Sequence, residues 1–249
     1  MCINVKNILI TGGSRGIGFE CVKRFHKEGW HVITCSRNKD IWLKKLELYP
    51  DLDNVDYVVA DVSEDNSLTE LFKYIHSKYT HLDAAVNNAS PRIKSQGEFK
   101  NISKENLFST LNSDFWSCVV CLKSELNLMK SGSCIVNVSS VNGLKPCPGA
   151  AMYSAAKHGL EGLTKSVALE ALQNGIRVNA VAPGVTWTSR WEEREKRNSN
   201  IREEVEAEVP IKRFATESEI VNAIEWLCDE KSSYVIGHTL VVDGGLSLN

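Results

Sequence analysis

The chain has 249 residues, of which 43% are hydrophobic and 24% charged, and its formal net charge is −2. That length suffices to bury the core of one large α/β domain, and the near-neutral balance supplies no field that would draw the chain to nucleic acid or anionic lipid. No apolar run approaches the ~18 residues of a membrane span, and Met1-Cys2-Ile3-Asn4-Val5-Lys6 leads into a strand pattern with no signal peptide, so a cytoplasmic protein is expected.

Asn7 to Thr11 is a short apolar run of buried-strand type. It opens into Gly12-Gly13-Ser14-Arg15-Gly16-Ile17-Gly18, followed by a helical pattern over 16–28 with Cys21, Val22 and Phe25 on its apolar side. Strand, glycine turn and helix form a site for a phosphate-bearing ligand, because glycines permit close backbone approach and the helix N-terminus offers free N–H donors. The spacing is G-x-x-x-G-x-G rather than G-x-G-x-x-G. His31 to Cys35 is the second strand, and it ends in Ser36-Arg37. A site selective for NAD places an acidic side chain there to meet the ribose 2′-hydroxyl. Ser36, Arg37 and the loop residue Arg15 instead suit a 2′-phosphate through charge-assisted bonds, so NADP(H) is the expected cofactor. The one nearby acid, Asp40, falls in the next helix, over 38–48.

Further along, 56–60, 82–87, 133–138, 177–181 and 239–242 read as strands, with helices near 65–78, 103–129, 150–173 and 216–229. This alternation implies a single-domain, Rossmann-type, doubly wound parallel sheet of seven strands with helices on both faces, spanning 1–249. Eight cysteines lie at 2, 21, 35, 118, 121, 134, 147 and 228, several inside apolar patterns where cysteine packs as a small hydrophobe. Cys118 and Cys121 have metal-like spacing, but no second pair or histidine cluster accompanies them, so no metal site is expected and reduced thiols fit best. Residues 187–209 break the rhythm with dense charge, and Trp187 and Trp191 stand at their start. They form either a solvated helical excursion or, as two tryptophans favour, a lid over a substrate pocket at the carboxyl side of the sheet.

Tyr153 and Lys157 sit four residues apart in an alanine-rich stretch that favours helix, so both occupy one face. An ammonium beside a phenol favours the phenolate and suits the pair to proton transfer.

Together these motifs resemble the short-chain dehydrogenase/reductase family in its compact branch, and within it 3-oxoacyl-ACP-reductase-like members. Thr11-Gly12-Gly13-Ser14-Arg15-Gly16-Ile17-Gly18 is similar to the TGxxxGxG loop, and Asn87-Asn88-Ala89-Ser90 to the NNAG turn, with serine in place of glycine. Ser140 precedes Tyr153 by thirteen residues, as in the family, and Asn112 falls where the family has a helix asparagine. Pro183-Gly184-Val185 with Thr188 resembles the motif that holds the nicotinamide end, and Asp61-Val62 the adenine-contacting pair, with a helix N-cap by Asp61 or Ser63 as the other reading.

The resemblance implies an oxidoreductase that moves hydride between NADP(H) and a carbonyl or secondary alcohol. Tyr153 would be the general acid/base and Lys157 its activating partner, bonding the ribose as well. Ser140 would hold the substrate oxygen, and Asn112 a helix kink and a relaying water. Ser139 is the rival for the serine role, but strand alternation turns it to the other face. The implied cofactor contacts are Gly12, Ser14, Arg15, Gly16, Ile17, Gly18, Ser36, Arg37, Asp61, Val62, Asn87, Ala89, Tyr153, Lys157, Pro183, Gly184, Val185 and Thr188. The expected partners are a small-molecule carbonyl or alcohol and further copies of the chain, as a tetramer or dimer, with neither nucleic acid nor membrane. A non-catalytic NADP-binding sensor or scaffold is the alternative from another class.

Overall fold

In the computed structural model, residues 5–248 are described, and seven parallel strands form one sheet in the order β3-β2-β1-β4-β5-β6-β7. The strands are β1 (Asn7–Thr11), β2 (His31–Ser36), β3 (Asp56–Val59), β4 (Leu82–Asn87), β5 (Met129–Val138), β6 (Arg177–Pro183) and β7 (Thr239–Val242). Alternation along each strand feeds two cores. Ile8, Ile10, Val86 and Val136 face one side with Val22 and Phe25 of α1 (Gly16–Lys27) and Ile220 and Ile224 of α9 (Glu217–Cys228). Leu9, Ile33, Ala85 and Ile135 face the other, against Leu71 and Ile75 of α3 (Asp65–Lys78), Leu122 of α5 (Ser117–Leu126) and Ala168 of α6 (Ala151–Leu172). A sheet covered on both faces explains the continuous apolar runs of its strands. Between β2 and β3, α2 (Lys39–Leu48) carries Asp40 in its first turn.

Strand order reverses between β1 and β4, so the loops that leave those two strands lie side by side at the carboxyl edge, where ligands bind in such sheets.

The structure corrects one expected helix. The stretch read as one helix over 103–129 is α4 (Lys104–Leu111), a π-turn (Asn112–Trp116) and α5, which ends at Leu126. Its end is set by β5, which starts four residues early, at Met129 beside Leu82, and then bulges before Cys134 pairs with Ala84. The charged segment folds as α7 (Ser189–Glu195) and α8 (Ile201–Glu208). Among the described residues no helix is long and apolar enough to cross a membrane and no cluster suits a metal ion. Cys118 and Cys121 are buried on α5, where burial pushes both thiols up. Cys2 and the segment read for a leader lie outside the described residues.

Candidate active site

Two loops make the floor of the site. Thr11, at the end of β1, accepts hydrogen bonds at Oγ1 from the backbone N–H groups of Asn88 (3.0 Å) and Ala89 (3.1 Å), and its carbonyl accepts from Asn88 Nδ2 at 3.0 Å. This stitching presses the glycine loop onto the Asn87–Ser90 turn. A Cβ at Gly18 would stand 2.4 Å from both Asn88 Nδ2 and the Gly12 carbonyl oxygen, so only glycine fits there. Gly16 adopts φ +58°, a left-handed conformation natural to glycine, and a Cβ on it would point at Thr188 Cγ2, 3.5 Å away. Thr188 thus stands across the loop mouth at the head of α7, whose preceding segment is anchored by the Gly184 N–H on the Val242 carbonyl at 2.9 Å. A glycine cradle at a helix N-terminus, closed on one side by a threonine, fits a pyrophosphate.

The far end of the cradle carries the groups expected to read the adenosine half. Arg37 lies 3.8 Å from Asp61, and Arg15 3.8 Å from Glu193 of α7; both guanidiniums are more than half exposed at the rim. The Ser36 hydroxyl pairs with the Tyr57 hydroxyl at 2.8 Å. Asp61 Oδ1 accepts from the N–H (3.0 Å) and hydroxyl (2.7 Å) of Ser63, a local turn beside the buried Val62. The N-cap reading of this pair is corrected, because α3 begins only at Asp65 with Glu64 at its N-cap.

On α6, Lys157 Nζ lies 5.7 Å from the centre of the Tyr153 ring, as the i,i+4 spacing requires. Lys157 is 3% exposed and donates to the Val138 carbonyl at 3.0 Å, whereas Tyr153 is half-buried. Ser140 ends the run from β5 in extended backbone, and its Oγ accepts from the Asn142 N–H at 3.2 Å. Ser139 is buried and its hydroxyl has no partner among the described residues.

Asn112 opens the π-turn, but its Nδ2 donates to the Ser63 carbonyl at 2.8 Å and faces an outer cavity with Phe108, Leu111 and Trp116. Asn87 turns inward, donating to Glu125 Oε2 at 2.9 Å and Asn137 Oδ1 at 3.1 Å. Glu125 is fully buried and its carboxyl is pushed up to about 8, chiefly by burial, with the Asn87 bond opposing. Glu125 and Asp114 went unnoticed in the sequence, since an isolated acid on a helix carries the signature of a solvated face.

Over the floor, α7 (Arg190, Arg194) and the loop after β4 (Arg92) bring a group of cations together. Arg190 donates to the Ser90 carbonyl at 2.8 Å and to that of Pro91 at 3.3 Å, and Arg92 pairs with Glu193. Arg194 stacks on Trp191 at 4.6 Å and its guanidinium is pushed down by burial and by nearby Arg190 and Arg92. Trp187 and Trp191 both turn inward, edge-on to Phe214 at 5.0 Å.

A doubly wound sheet with a glycine cradle at its switch point, and a Tyr–Lys pair on the helix beside it, fits a dinucleotide-dependent oxidoreductase. The family model for enoyl-(acyl carrier protein) reductases matches residues 12–247. A 3-oxoacyl-(acyl-carrier-protein) reductase of Buchnera aphidicola is 33% identical, with 99% of each chain covered. An A-factor type gamma-butyrolactone 1′-reductase of Streptomyces virginiae is 34% identical over 96% of this chain and 95% of that protein. Among solved structures, ElxO with NADP bound matches with a TM-score of 0.92 at 30% identity, over 98% of this chain and 100% of that one. The chain belongs to the short-chain dehydrogenase/reductase family of oxidoreductases.

Proposed function

We propose that this protein is an NADP(H)-dependent carbonyl reductase in which Tyr153 is the general acid/base. The observation that carries the reading is the pairing of a half-buried phenol with a buried ammonium on one face of α6, against which the turn that follows Ser140 is bonded through Ser154. When bound, the nicotinamide supplies the hydride. Tyr153 gives its hydroxyl proton to the carbonyl oxygen in reduction and takes it back in oxidation. The Lys157 ammonium stabilises the phenolate left behind, and the Ser140 hydroxyl donates to the oxygen as its charge grows. Asn112 holds the π-turn open through its bond to Ser63. The glycine loop and Thr188 hold the pyrophosphate, the Asn87–Ala89 turn and Pro183–Val185 flank the nicotinamide end, and Asp61 with Val62 borders the adenine.

Arg15, Ser36 and Arg37 recognise a 2′-phosphate, as the exposed guanidiniums at the rim and the NADP-bound relative support. Arg37→Asp replaces a charge-assisted bond with repulsion. It is expected to raise the KM for NADPH about 10- to 100-fold while that for NADH changes little; an unchanged preference in steady-state kinetics refutes the assignment.

The segment 187–209 acts as a lid within a single-domain chain, and its arginines favour a carbonyl substrate that carries an anionic group. Acyl thioesters on phosphate-bearing carriers have that character, and relatives include an acetoacetyl-CoA reductase of Acinetobacter. Arg92→Gln and Arg194→Gln are each expected to raise the KM for a carboxylated or phosphorylated ketone several-fold, leaving that for an uncharged ketone within about twofold. Equal effects on both substrates would remove the basis for an anionic class. We also assign the exposed Phe108 and Trp116 beside the helix break, and Leu169 and Leu172 on α6, to contact with further copies of the chain.

A further inference from the structure

Ser90, the serine in place of the family's turn glycine, has a structural purpose. Its hydroxyl donates to Asp114 Oδ1 at 2.6 Å, while its carbonyl receives Arg190 from the lid. Asp114 lies within the π-turn, is 2% exposed, and accepts a second bond at Oδ2 from the Ser113 hydroxyl at 3.0 Å. Residues two apart on a helix fall on different faces; here Asn112 turns to Ser63 and Asp114 to a small, partly open pocket. That pocket measures about 10 Å³, and Asp114, Lys157, Thr11 and Asn87 line it together with apolar neighbours such as Val138 and Leu160. It has room for about one water, and although most of its wall is apolar, Lys157, Asp114 and Asn87 supply the two to four polar partners a water needs.

The bonding capacities on the two walls are complementary. Lys157 has three N–H donors and commits one to Val138. The Asp114 carboxylate has about four acceptor positions and receives two hydroxyls. A buried carboxylate and a buried ammonium lining one water-sized space are costly apart and stabilising when bridged.

We propose that Asp114, oriented by Ser90, is a positioning residue for Lys157: one water in this cavity accepts from Lys157 Nζ and donates to the Asp114 carboxylate. The bridge holds the ammonium from behind, so that a remaining N–H is aimed at the Tyr153 side. The functional part rests on the reductase reading; the placement of the water does not.

The test combines a crystal structure of the full chain with kinetics. A map that resolves waters is expected to show one within hydrogen-bonding distance of both Lys157 Nζ and an Asp114 oxygen. A water bonded to Lys157 alone, or none in the cavity, overturns the proposal. Asp114→Asn keeps the shape and removes the charge; kcat is expected to fall about 10-fold or more, with the KM for NADPH and the melting temperature nearly unchanged. A kcat within twofold of the parent overturns the proposal. If Asp114→Asn lowers the melting temperature substantially, Ser90→Ala decides: several-fold loss of kcat at an unaltered melting temperature supports the bridge, and undiminished kcat overturns it. Absence of NADPH-dependent turnover in the unmodified protein would instead sink the reductase reading, while the crystallographic water still decides the bridge.

Discussion

Tyr153→Phe is expected to lower kcat by a factor on the order of 10²–10⁴ while NADPH still binds within about twofold of the parent affinity, as read by nucleotide fluorescence. The substitution removes one oxygen from a half-buried ring and leaves the apolar body that packs beside Lys157. Lys157 keeps its bond to Val138, so the fold of α6 and the sheet edge it covers is preserved. What disappears is the proton donor that the proposed chemistry places beside Lys157. In the proposed chemistry Ser140 remains to polarise the carbonyl, but an aliphatic hydroxyl is too weak an acid to replace the phenol as proton donor. The same variant separates the reductase from a sensor that merely holds the nucleotide. In a sensor there is no turnover to lose, and the phenol-to-phenyl change would pass unnoticed in every assay. Substantial activity in Tyr153→Phe would move the acid role to another group and undo the proposed chemistry.

Most of this architecture is legible in the chain because the fold is repetitive and each layer has its own period. Apolar runs such as Asn7–Thr11 and Leu82–Asn87 are buried on both faces, and a strand buried so completely leaves a signal that no local accident erases. The cradle was legible for a different reason: Gly18 has no room for a Cβ and Gly16 adopts a left-handed φ that glycine favours, so the backbone geometry leaves its mark on residue type. The Tyr153–Lys157 pair follows from helix pitch alone. What stayed hidden depends on a single inserted residue. The π-turn at Asn112–Trp116 shifts the register of the helix, and no 3.6-residue pattern announces it. Asn112 ends on the Ser63 carbonyl and Asp114 in the pocket that Lys157 also lines, and beyond the register shift neither placement can be read from a 3.6-residue pattern. The early start of β5 was hidden for a related reason: Lys130-Ser131-Gly132-Ser133 bulges out of the sheet and has the composition of a loop.

Glu125 gives rise to the second large effect, this time on stability. Its carboxyl is fully buried with one partner, Asn87 Nδ2, and Oε1 has none among the described residues. Burial therefore disfavours the anion, and the folded-state value rises from 4.5 to about 8. The sign of the linkage follows directly. Below pH 4.5 the group is protonated in both states and costs nothing. Between 4.5 and about 8 the unfolded chain ionises while the folded chain stays neutral, so folding loses stability as pH rises. Above about 8 the loss is complete, about 5 kcal/mol as an upper figure. Glu125→Gln supplies a neutral group of the same shape that still accepts from Asn87, and it abolishes this dependence. The variant and the parent are expected to melt at similar temperatures near pH 5. At pH 9 the variant should melt higher by roughly 10 °C, taking a few degrees per kcal/mol for a chain of this size. Thermal unfolding from pH 5 to 9, monitored by circular dichroism, measures the difference directly. A gap that stays constant with pH would mean that Glu125 is ionised in the folded protein throughout, held by a cation or water that offsets its burial. The Asn87 side chain would then be holding a charge behind the pocket that Lys157 also lines, and the electrostatics assigned to Lys157 would have to include it.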